Sequence, residues 1–455
     1  MTGIHRYPDS SVFYRKLTRA YPKIVKGEGC WLFDETGKKY LDACGGAYVA
    51  NLGHGIAEIG RAIGEQASKV AYVNGTAFTS GPVEELAAEV AALCPGDLKK
   101  VFFLSSGSEA VEAALKFARQ YWVEAGKPNK HKIIAQTPGY HGNTLLALSA
   151  SARGRYKTFF KPWLVDVAMV PAPYPYRCPC HGLAKDCPTC SGAVVEETIL
   201  REGPANVAAF IMEPVGGSST GASAPRPEYW KRVREICDRR QVLLIADEVL
   251  TGAGRTGAWT AMEHYGVLPD LMTLGKGLSG GYVPLSALVA PARLIDVIAE
   301  GSGGLLHAQT FSHTPTICAA GLAAVRYLKK NKLIERAKAM GEILHKRLAR
   351  LKELPGVGDV RGLGMLAGVE FVADKKTRAP FPRSAKMAEA FVENALDEGL
   401  VLWLNTGHAD GENGDLVMIA PPFVITEEEI GEIVARFGRT LKKTLTELAV
   451  KEGAL

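Results

Sequence analysis

Short apolar runs alternate with amphipathic stretches through the middle of this chain. The runs predict buried strands at 101–104, 133–136, 207–212, 242–246, 271–274 and 285–290. After the first run, the segment 110–121 places Val111, Leu115 and Ala118 on one face with charged residues between them, which is typical of an amphipathic helix. This alternation predicts an α/β domain with a mostly parallel sheet and a site at the carboxyl ends of its strands.

The two ends of the chain predict a second, smaller α/β unit. Its strands are expected at 365–372, 400–404 and 416–419, and its helices at 384–397 and 427–448. Two short strands, 30–34 and 39–42, are expected near the N-terminus. We therefore divide the chain into an N-terminal segment at 1–63, a large domain at 64–325 and a small domain at 326–455.

The composition is that of a soluble protein and limits the partners that we expect. Of the 455 residues, 47% are hydrophobic and 22% charged, and no apolar run approaches the roughly 18 residues needed to cross a bilayer. The net charge of +6 is spread over 54 basic and 48 acidic residues, without a basic stretch interleaved with aromatics, so we expect no nucleic acid partner. The N-terminus lacks an apolar secretion signal, which favours the cytoplasm.

Two of the predicted strands end in side chains of complementary chemistry. Asp247 closes the run 242–246, and Lys276 follows the run 271–274 among small residues. Pyridoxal phosphate chemistry needs such a pair: the lysine amine forms a Schiff base with the cofactor, and the carboxylate keeps the pyridine nitrogen protonated. Each residue alone has a simpler interpretation, because a lysine after a strand is commonly solvated and an aspartate there is commonly a helix N-cap.

Two further motifs follow predicted strands. Ser106, Gly107 and Ser108 lie between a strand and a helix, where free backbone N–H groups favour phosphate; the same turn could also serve only as a helix cap. Tyr140 is an aromatic that could stack on the pyridine ring, and Val249 could press on the opposite face.

Together these motifs resemble the class III aminotransferases, also named the omega-transaminase group. The resembling segments, in the family's order, are 106–110, 140–142, 213–215, 247–249 with 254–257, 276, 309–312 and 420–422. The resemblance covers nearly the whole chain. It implies the type I PLP-dependent transferase fold, with an N-terminal segment that packs against the small domain, and a homodimer with the active site at the subunit interface; a tetramer stays open.

The resemblance also implies a role for each motif residue. Lys276 would be the Schiff-base lysine and proton shuttle, and Asp247 the partner of the pyridinium. Thr310 would reach the phosphate of the neighbouring subunit, and Glu213 would support the network beside the ring. The implied cofactor-binding set is Ser106, Gly107, Ser108, Tyr140, His141, Glu213, Asp247, Val249, Lys276 and Thr310.

The function that we expect is transfer of an amino group from an amine or amino acid to an oxo acid, with pyruvate as the expected acceptor, in two half-reactions on pyridoxal 5'-phosphate. Another reaction on the same cofactor, an aminomutase or a decarboxylase, is the alternative. A non-catalytic protein on this fold is a further alternative, but it would have no need for Lys276.

The segment before 420–422 departs from the pattern of relatives that bind a substrate carboxylate. Met418 occupies the position where many of them have an arginine, and the loop 405–413 contains no arginine either. His408 or Trp403 could substitute, although a solvated loop is the interpretation we prefer. The resemblance also implies an aromatic pocket of Tyr48, Trp163 and, across the dimer, Phe78, which would favour a hydrophobic or extended amine; each of the three could equally be an ordinary core residue.

Four of the nine cysteines are crowded into one short stretch. Cys178 and Cys180 form a C-x-C pair, and Cys187 and Cys190 a C-x2-C pair. Four such sulfurs could bind structural zinc, with His181 as a substitute ligand, but the first pair is closer than zinc knuckles usually have it. We therefore expect free thiols and no catalytic metal, with zinc and a disulfide as alternatives.

Overall fold

The computed structural model describes residues 5–152, 154–178, 180 and 187–451, which form three sheets flanked by helices. The strands are β1 (Ile24–Glu28), β2 (Trp31–Asp34), β3 (Lys39–Asp42), β4 (Leu98–Leu104), β5 (Lys132–Thr137), β6 (Ala168–Pro171), β7 (Val207–Met212), β8 (Leu243–Asp247), β9 (Leu271–Leu274), β10 (Ser286–Pro291), β11 (Val357–Leu363), β12 (Leu366–Phe371), β13 (Leu400–Val401), β14 (Trp403–Thr406) and β15 (Asp415–Ile419). The helices are α1 (Gly45–Tyr48), α2 (Ala57–Lys69), α3 (Gly81–Leu93), α4 (Gly107–Glu124), α5 (Leu145–Ala150), α6 (Gly154–Phe160), α7 (Pro188–Ser191), α8 (Ala193–Glu202), α9 (Pro227–Arg240), α10 (Ala292–Glu300), α11 (Pro315–Lys330), α12 (Leu333–Leu348), α13 (Met387–Asp397) and α14 (Glu427–Lys451).

The largest sheet has seven strands in the order β4-β10-β9-β8-β7-β5-β6. β10 runs antiparallel to both of its neighbours, and the other neighbouring pairs are parallel, so the prediction of a mostly parallel sheet is confirmed. Every residue of β7, β8, β9 and β10 is buried, which explains why continuous apolar runs predicted these strands well. The sequence did not predict β6, a four-residue strand at the sheet edge that ends in a proline.

The two smaller sheets each have four strands and contain the ends of the chain. Their orders are β1-β2-β3-β13 and β11-β12-β15-β14. The single strand predicted at 400–404 is wrong, because the chain changes sheets at Leu402. Leu400 pairs in parallel with Leu41 of β3, whereas Trp403 pairs with Met418 of β15. Different hydrogen-bond partners on the two sides of one residue therefore divide the apolar run.

One apolar cluster joins the N-terminal strands to the C-terminal helices. It includes Leu41 and Ile59 from the first part of the chain, together with Phe391 and Phe437, whose ring centroids lie 4.6 Å apart. The boundary expected after residue 325 falls within the continuous helix α11. The division of the chain into three parts therefore stays a prediction.

The longest helix, α14, has 25 residues and carries charged side chains from its first turn onwards. None of the helices that the structure describes combines the length and the apolar composition that a membrane span requires.

The turn between β11 and β12 lies against the loop that follows β8. Gly364 adopts a left-handed φ of +58°, and a Cβ atom there would lie 2.3 Å from the carbonyl carbon of Thr256. The backbone N–H of Met365 donates to the carbonyl oxygen of Arg255 at 2.9 Å, and the Arg255 guanidinium donates back to the Met365 carbonyl oxygen at 3.1 Å. The C-terminal sheet is thereby attached to the loop that begins at the carboxyl end of β8.

Substitution of Gly364 tests this close approach. Gly126 has a similar φ of +74° but no atom within 4 Å of its Cβ position, so Gly126→Ala adds backbone strain alone, about 1 kcal/mol. Gly364→Ala adds a clash with backbone atoms, and we expect it to lower the free energy of unfolding by roughly 1–3 kcal/mol more. Thermal unfolding of both variants measures the difference. Equal losses would contradict the close approach.

Candidate active site

The pairing of β8 with β9 brings together two positions that are distant along the chain. The strands are parallel, and Asp247 at the end of β8 lies opposite Thr273 of β9. Thr273 donates its hydroxyl hydrogen to Asp247 Oδ1 at 3.0 Å. Lys276 is separated from β9 by Gly275 alone and is the first residue of a 3₁₀ turn, Lys276–Leu278. The two residues of the predicted pair therefore lie at neighbouring carboxyl ends of one sheet.

The Asp247 carboxylate is buried and held by three donors. Besides Thr273, the backbone N–H of Val249 donates to Oδ1 at 3.1 Å, and His141 Nδ1 donates to Oδ2 at 2.7 Å. The His141 side chain is fully buried, and its backbone N–H donates to Ser151 Oγ at 2.8 Å. The helix-cap interpretation of Asp247 is wrong, because turns follow it as far as Thr260. The carboxylate is therefore oriented by three hydrogen bonds.

Lys276 has a backbone conformation that is unusual for a residue with a side chain. Its φ is +41°, in the left-handed region, where strain in non-glycine residues is concentrated at functional sites. Gly275 precedes it, and a Cβ atom there would lie 3.2 Å from Val249 Cγ1. The space for a side chain beside the lysine is therefore tight.

The N-terminus of α4 forms the third part of the site. Ser106 is the N-cap of this 18-residue helix, and its side chain accepts from the backbone N–H of Glu109 at 3.3 Å. A Cβ atom on Gly107 would lie 2.6 Å from Val249 Cγ1. The backbone N–H of Asn143 donates to Ser108 Oγ at 3.1 Å. The segments that carry the predicted phosphate, ring and Asp247 motifs therefore converge at this helix end.

Glu213 connects the Tyr140 segment to the end of β7. Its Oε2 accepts from the backbone N–H of Tyr140 at 3.3 Å, and its Oε1 from the backbone N–H of Gly217 at 2.9 Å. Burial raises the pKa of the Glu213 carboxyl. Glu213 thus holds the backbone of Tyr140, and the role in the network beside the ring that the resemblance implies stays a prediction.

The predicted pocket residues differ in their surroundings. Tyr48 is buried, with its ring 5.9 Å from that of Trp403, and Met418 on β15 is paired with Trp403. Phe78 and Trp163 are 67% and 68% exposed, so they do not form a closed wall with Tyr48 within one chain. Tyr48 and Met418 belong to one apolar core cluster, and Trp403 packs against it.

The expectation that His408 is solvated is wrong. The side chain is buried, and its Nε2 lies 3.2 Å from Glu370 Oε1. Arg361 also donates to the Glu370 carboxylate, at 2.8 Å. His408 therefore binds a carboxylate of the protein itself. The proposed substitute ligand His181 lies outside the described residues.

Thr273 is a site residue that sequence reasoning did not single out. A hydroxyl in an otherwise apolar, fully buried strand needs a hydrogen-bond partner, and here that partner is Asp247. The sequence alone contained this signal, a threonine within the apolar run 271–274.

Comparisons with known proteins agree with this geometry. The family model described as "Aminotransferase class-III" matches residues 14–441. The chain belongs to the class III aminotransferases. It is therefore an enzyme of the PLP-dependent transferases with the type I fold, as expected.

Similar proteins include aminotransferases named with a substrate and without one. The chain is 38% identical to the uncharacterized aminotransferase YodT of Bacillus subtilis, over 94% of this chain and 96% of that protein. It is 35% identical to the putrescine–pyruvate aminotransferase of Pseudomonas aeruginosa, over 95% and 93%. The omega-transaminase of Pseudomonas jessenii in complex with PMP superposes with a TM-score of 0.88 at 32% identity, over 94% of each chain.

The site residues of this class III aminotransferase fit pyridoxal phosphate. Asp247 could offer a buried, oriented carboxylate to the ring nitrogen, and the α4 N-terminus could offer backbone N–H groups and the Ser108 hydroxyl to the phosphate. Lys276 is at the neighbouring strand end. This set of side chains and N–H groups is complementary to a cationic ring that carries an anionic phosphate.

Glu248, next to Asp247, is a second fully buried carboxyl group with a structural role. It accepts hydrogen bonds from the Thr251 hydroxyl and from the backbone N–H groups of Ala261 (3.0 Å) and Met262 (2.9 Å). Burial raises the pKa of Glu248 to about 7. Between its ordinary pKa and about 7, the folded protein holds a proton here that the unfolded chain has released, so stability falls as pH rises.

Glu248→Gln tests this pH dependence, because the variant has no titratable proton at the position. We expect the melting temperature of the wild type, relative to that of the variant, to decrease between pH 5 and pH 7 and to level off above pH 7. Thermal unfolding of both proteins across this range provides the measurement. A difference that does not change with pH would contradict the assignment.

Proposed function

We propose that this protein transfers an amino group from an amine donor to an oxo acid, in two half-reactions at pyridoxal phosphate bound between Asp247 and Lys276. The observation that carries the proposal is the pairing of β8 with β9, which holds the Asp247 carboxylate beside the segment that ends in Lys276. When bound, pyridoxal phosphate supplies an electron sink for negative charge at the carbon that bears the amino group.

The side chains around this point would hold the cofactor from several directions. Asp247 would face the ring nitrogen, and Tyr140 and Val249 would pack on its two faces. The phosphate would lie at the α4 N-terminus, near Ser106, Gly107 and Ser108. His141 and Glu213 would act indirectly, since the first orients Asp247 and the second positions Tyr140.

Lys276 would anchor the cofactor covalently and then carry a proton. Once the donor amine has replaced Lys276 in the covalent link to the cofactor, the freed Lys276 amine would remove a proton from the donor carbon and deliver it to the cofactor. In the second half-reaction, Lys276 would carry out the same proton transfers in the reverse direction, and an oxo acid would receive the amino group. The short 3₁₀ turn at Lys276–Leu278 fixes the backbone from which this side chain moves.

A homodimer belongs to the proposal. Phe78, Leu306 and Phe311 are large apolar side chains exposed on the single chain, which is typical of a surface covered by a partner. The Tyr72 and Phe311 rings lie 6.2 Å apart, so the segment around residue 72 and the segment around residue 311 are neighbours at the surface. The adjacent Thr310 is exposed as well, as a residue that reaches the neighbouring subunit's phosphate must be. We also place the enzyme in the cytoplasm.

The surroundings of Met418 favour an amine donor that carries no carboxylate on the donor carbon. Met418 is fully buried beside Trp403, and β15 carries no basic side chain that could bind a donor carboxylate. A similar protein is a putrescine–pyruvate aminotransferase, which supports a simple amine as donor and pyruvate as acceptor.

Lys276→Ala tests the catalytic assignment. We expect amino transfer to be abolished, because no other group at this position can form the covalent link or carry the proton. Borohydride reduction of the wild type, followed by peptide mass spectrometry, should locate the cofactor on Lys276. Lys231→Ala, a change of an exposed lysine on α9, is the matched control and should retain activity. A label elsewhere, or an active Lys276→Ala variant, would contradict the proposal.

A donor panel with pyruvate as acceptor tests the substrate class. A charge-assisted hydrogen bond to the donor carboxylate would contribute about 1.5–3 kcal/mol, and β15 has no basic side chain to make it. We therefore expect kcat/KM for glutamate to be about 10–100-fold lower than for 1-phenylethylamine or putrescine. Chromatography of alanine formed from pyruvate gives the rates. Preference for glutamate would refute the substrate class, and product formed without any oxo acid would indicate an aminomutase or a decarboxylase.

A further inference from the structure

Four sulfur atoms converge at a point in the chain between β6 and α8. Cys178 Sγ lies 3.1 Å from that of Cys180, 3.3 Å from that of Cys187 and 3.5 Å from that of Cys190. All four sulfur atoms lie within 4.8 Å of one another. We propose that these four cysteines bind one structural zinc ion through four thiolates.

The distances suit a tetrahedral metal shell better than disulfide bonds. A zinc–sulfur bond of about 2.3 Å places tetrahedral sulfur atoms about 3.8 Å apart, close to the separations here. A disulfide needs about 2.05 Å and joins sulfur atoms in pairs. Here the Cys178 sulfur contacts three others, which is an arrangement that one central ion explains.

Local structure orients the second pair toward a common point. Cys187 is the N-cap of α7, and Cys190 is the third residue of that helix. A spacing of three residues on one helical turn puts both side chains on the same side. Cys178 is buried, whereas Cys180, Cys187 and Cys190 are half-buried, so an ion could reach the site from solvent.

The described residues of this stretch have small side chains. Between Cys178 and Cys190, the structure also describes Cys180, Cys187, Pro188 and Thr189, and none of these has a large apolar side chain. Small regions with few large apolar side chains are commonly stabilised by structural zinc. We therefore propose zinc here in place of the free thiols that the sequence led us to expect.

The position of the site indicates what the ion would stabilise. The backbone N–H of Cys178 donates to the carbonyl oxygen of Tyr174 at 2.7 Å, which closes the turn that carries Arg177. Arg177 donates to Glu370 Oε1 on β12 at 2.6 Å, and the Tyr174 hydroxyl donates to the other Glu370 oxygen. Zinc would thus hold the segment after β6 whose side chains contact the sheet β11-β12-β15-β14.

The Glu370 carboxylate makes this connection strong. Burial opposes its ionisation, but the neighbouring Arg361 and His408 hold the pKa of Glu370 well below its usual range. A charged, buried acceptor requires all of its donors to stay in place. The ion would therefore act on stability and take no part in amino transfer.

Metal analysis of the purified, untreated enzyme tests the proposal directly. We expect one zinc ion per chain by plasma mass spectrometry and a shell of four sulfur atoms at about 2.3 Å by X-ray absorption at the zinc edge. Iron in place of zinc, a shell with nitrogen or oxygen ligands, or a zinc-free enzyme whose cysteines are all titratable or disulfide-bonded would overturn it. These readouts do not depend on amino-transfer activity.

Variants separate this site from other metal binding. Cys187→Ser combined with Cys190→Ser should reduce the zinc content at least tenfold and lower the melting temperature. Cys318→Ala, a change at a buried cysteine of α11 outside the cluster, should keep one zinc ion. Zinc retained in the double variant would refute the ligand set. If the double variant does not fold, zinc release from the wild type by a mercurial titrant gives the same decision, with four thiols blocked per zinc ion released.

Discussion

The site depends on the parallel register of β8 and β9, which is locked by the hydrogen bond from Thr273 to Asp247. Parallel strands end at the same edge of a sheet, so a carboxylate and a lysine from distant parts of the chain become neighbours there. The burial of Asp247 has a cost that its donors must offset. His141, Thr273 and the Val249 N–H fill that role, and they also fix the direction of the carboxylate.

Close backbone approach extends this constraint to the rest of the site. Val249 lies so near to Gly107 and Gly275 that neither position has free space for a side chain. The α4 N-terminus, the turn after β8 and the turn after β9 are therefore one packed unit. Gly364, against Thr256, attaches the C-terminal sheet to the same unit, and Glu370 forms a second, electrostatic attachment through Arg177 and Tyr174.

Sequence reasoning worked best where one local signal decided the structure. Six of the seven strands of the large sheet were predicted because buried strands are continuous apolar runs, and α4 was predicted because its apolar spacing matches a helix. It failed at β6, which is short and at an edge, and at 400–404, where the sheet partner changes within one apolar run. His408 was misjudged for a related reason, since its partner Glu370 is distant along the chain.

The sequence by itself determined the family, the types of most elements and the identities of the candidate catalytic residues, because motif order and periodicity are local properties. The tertiary structure alone decided which groups pair: His141 with Asp247, Tyr140 with Glu213, and His408 with Glu370. It also decided that four thiols meet at one point and that Phe78 and Trp163 stay at the surface. Hydrogen bonds and ion coordination act only over a few ångströms, so their partners exist only after distant segments have packed.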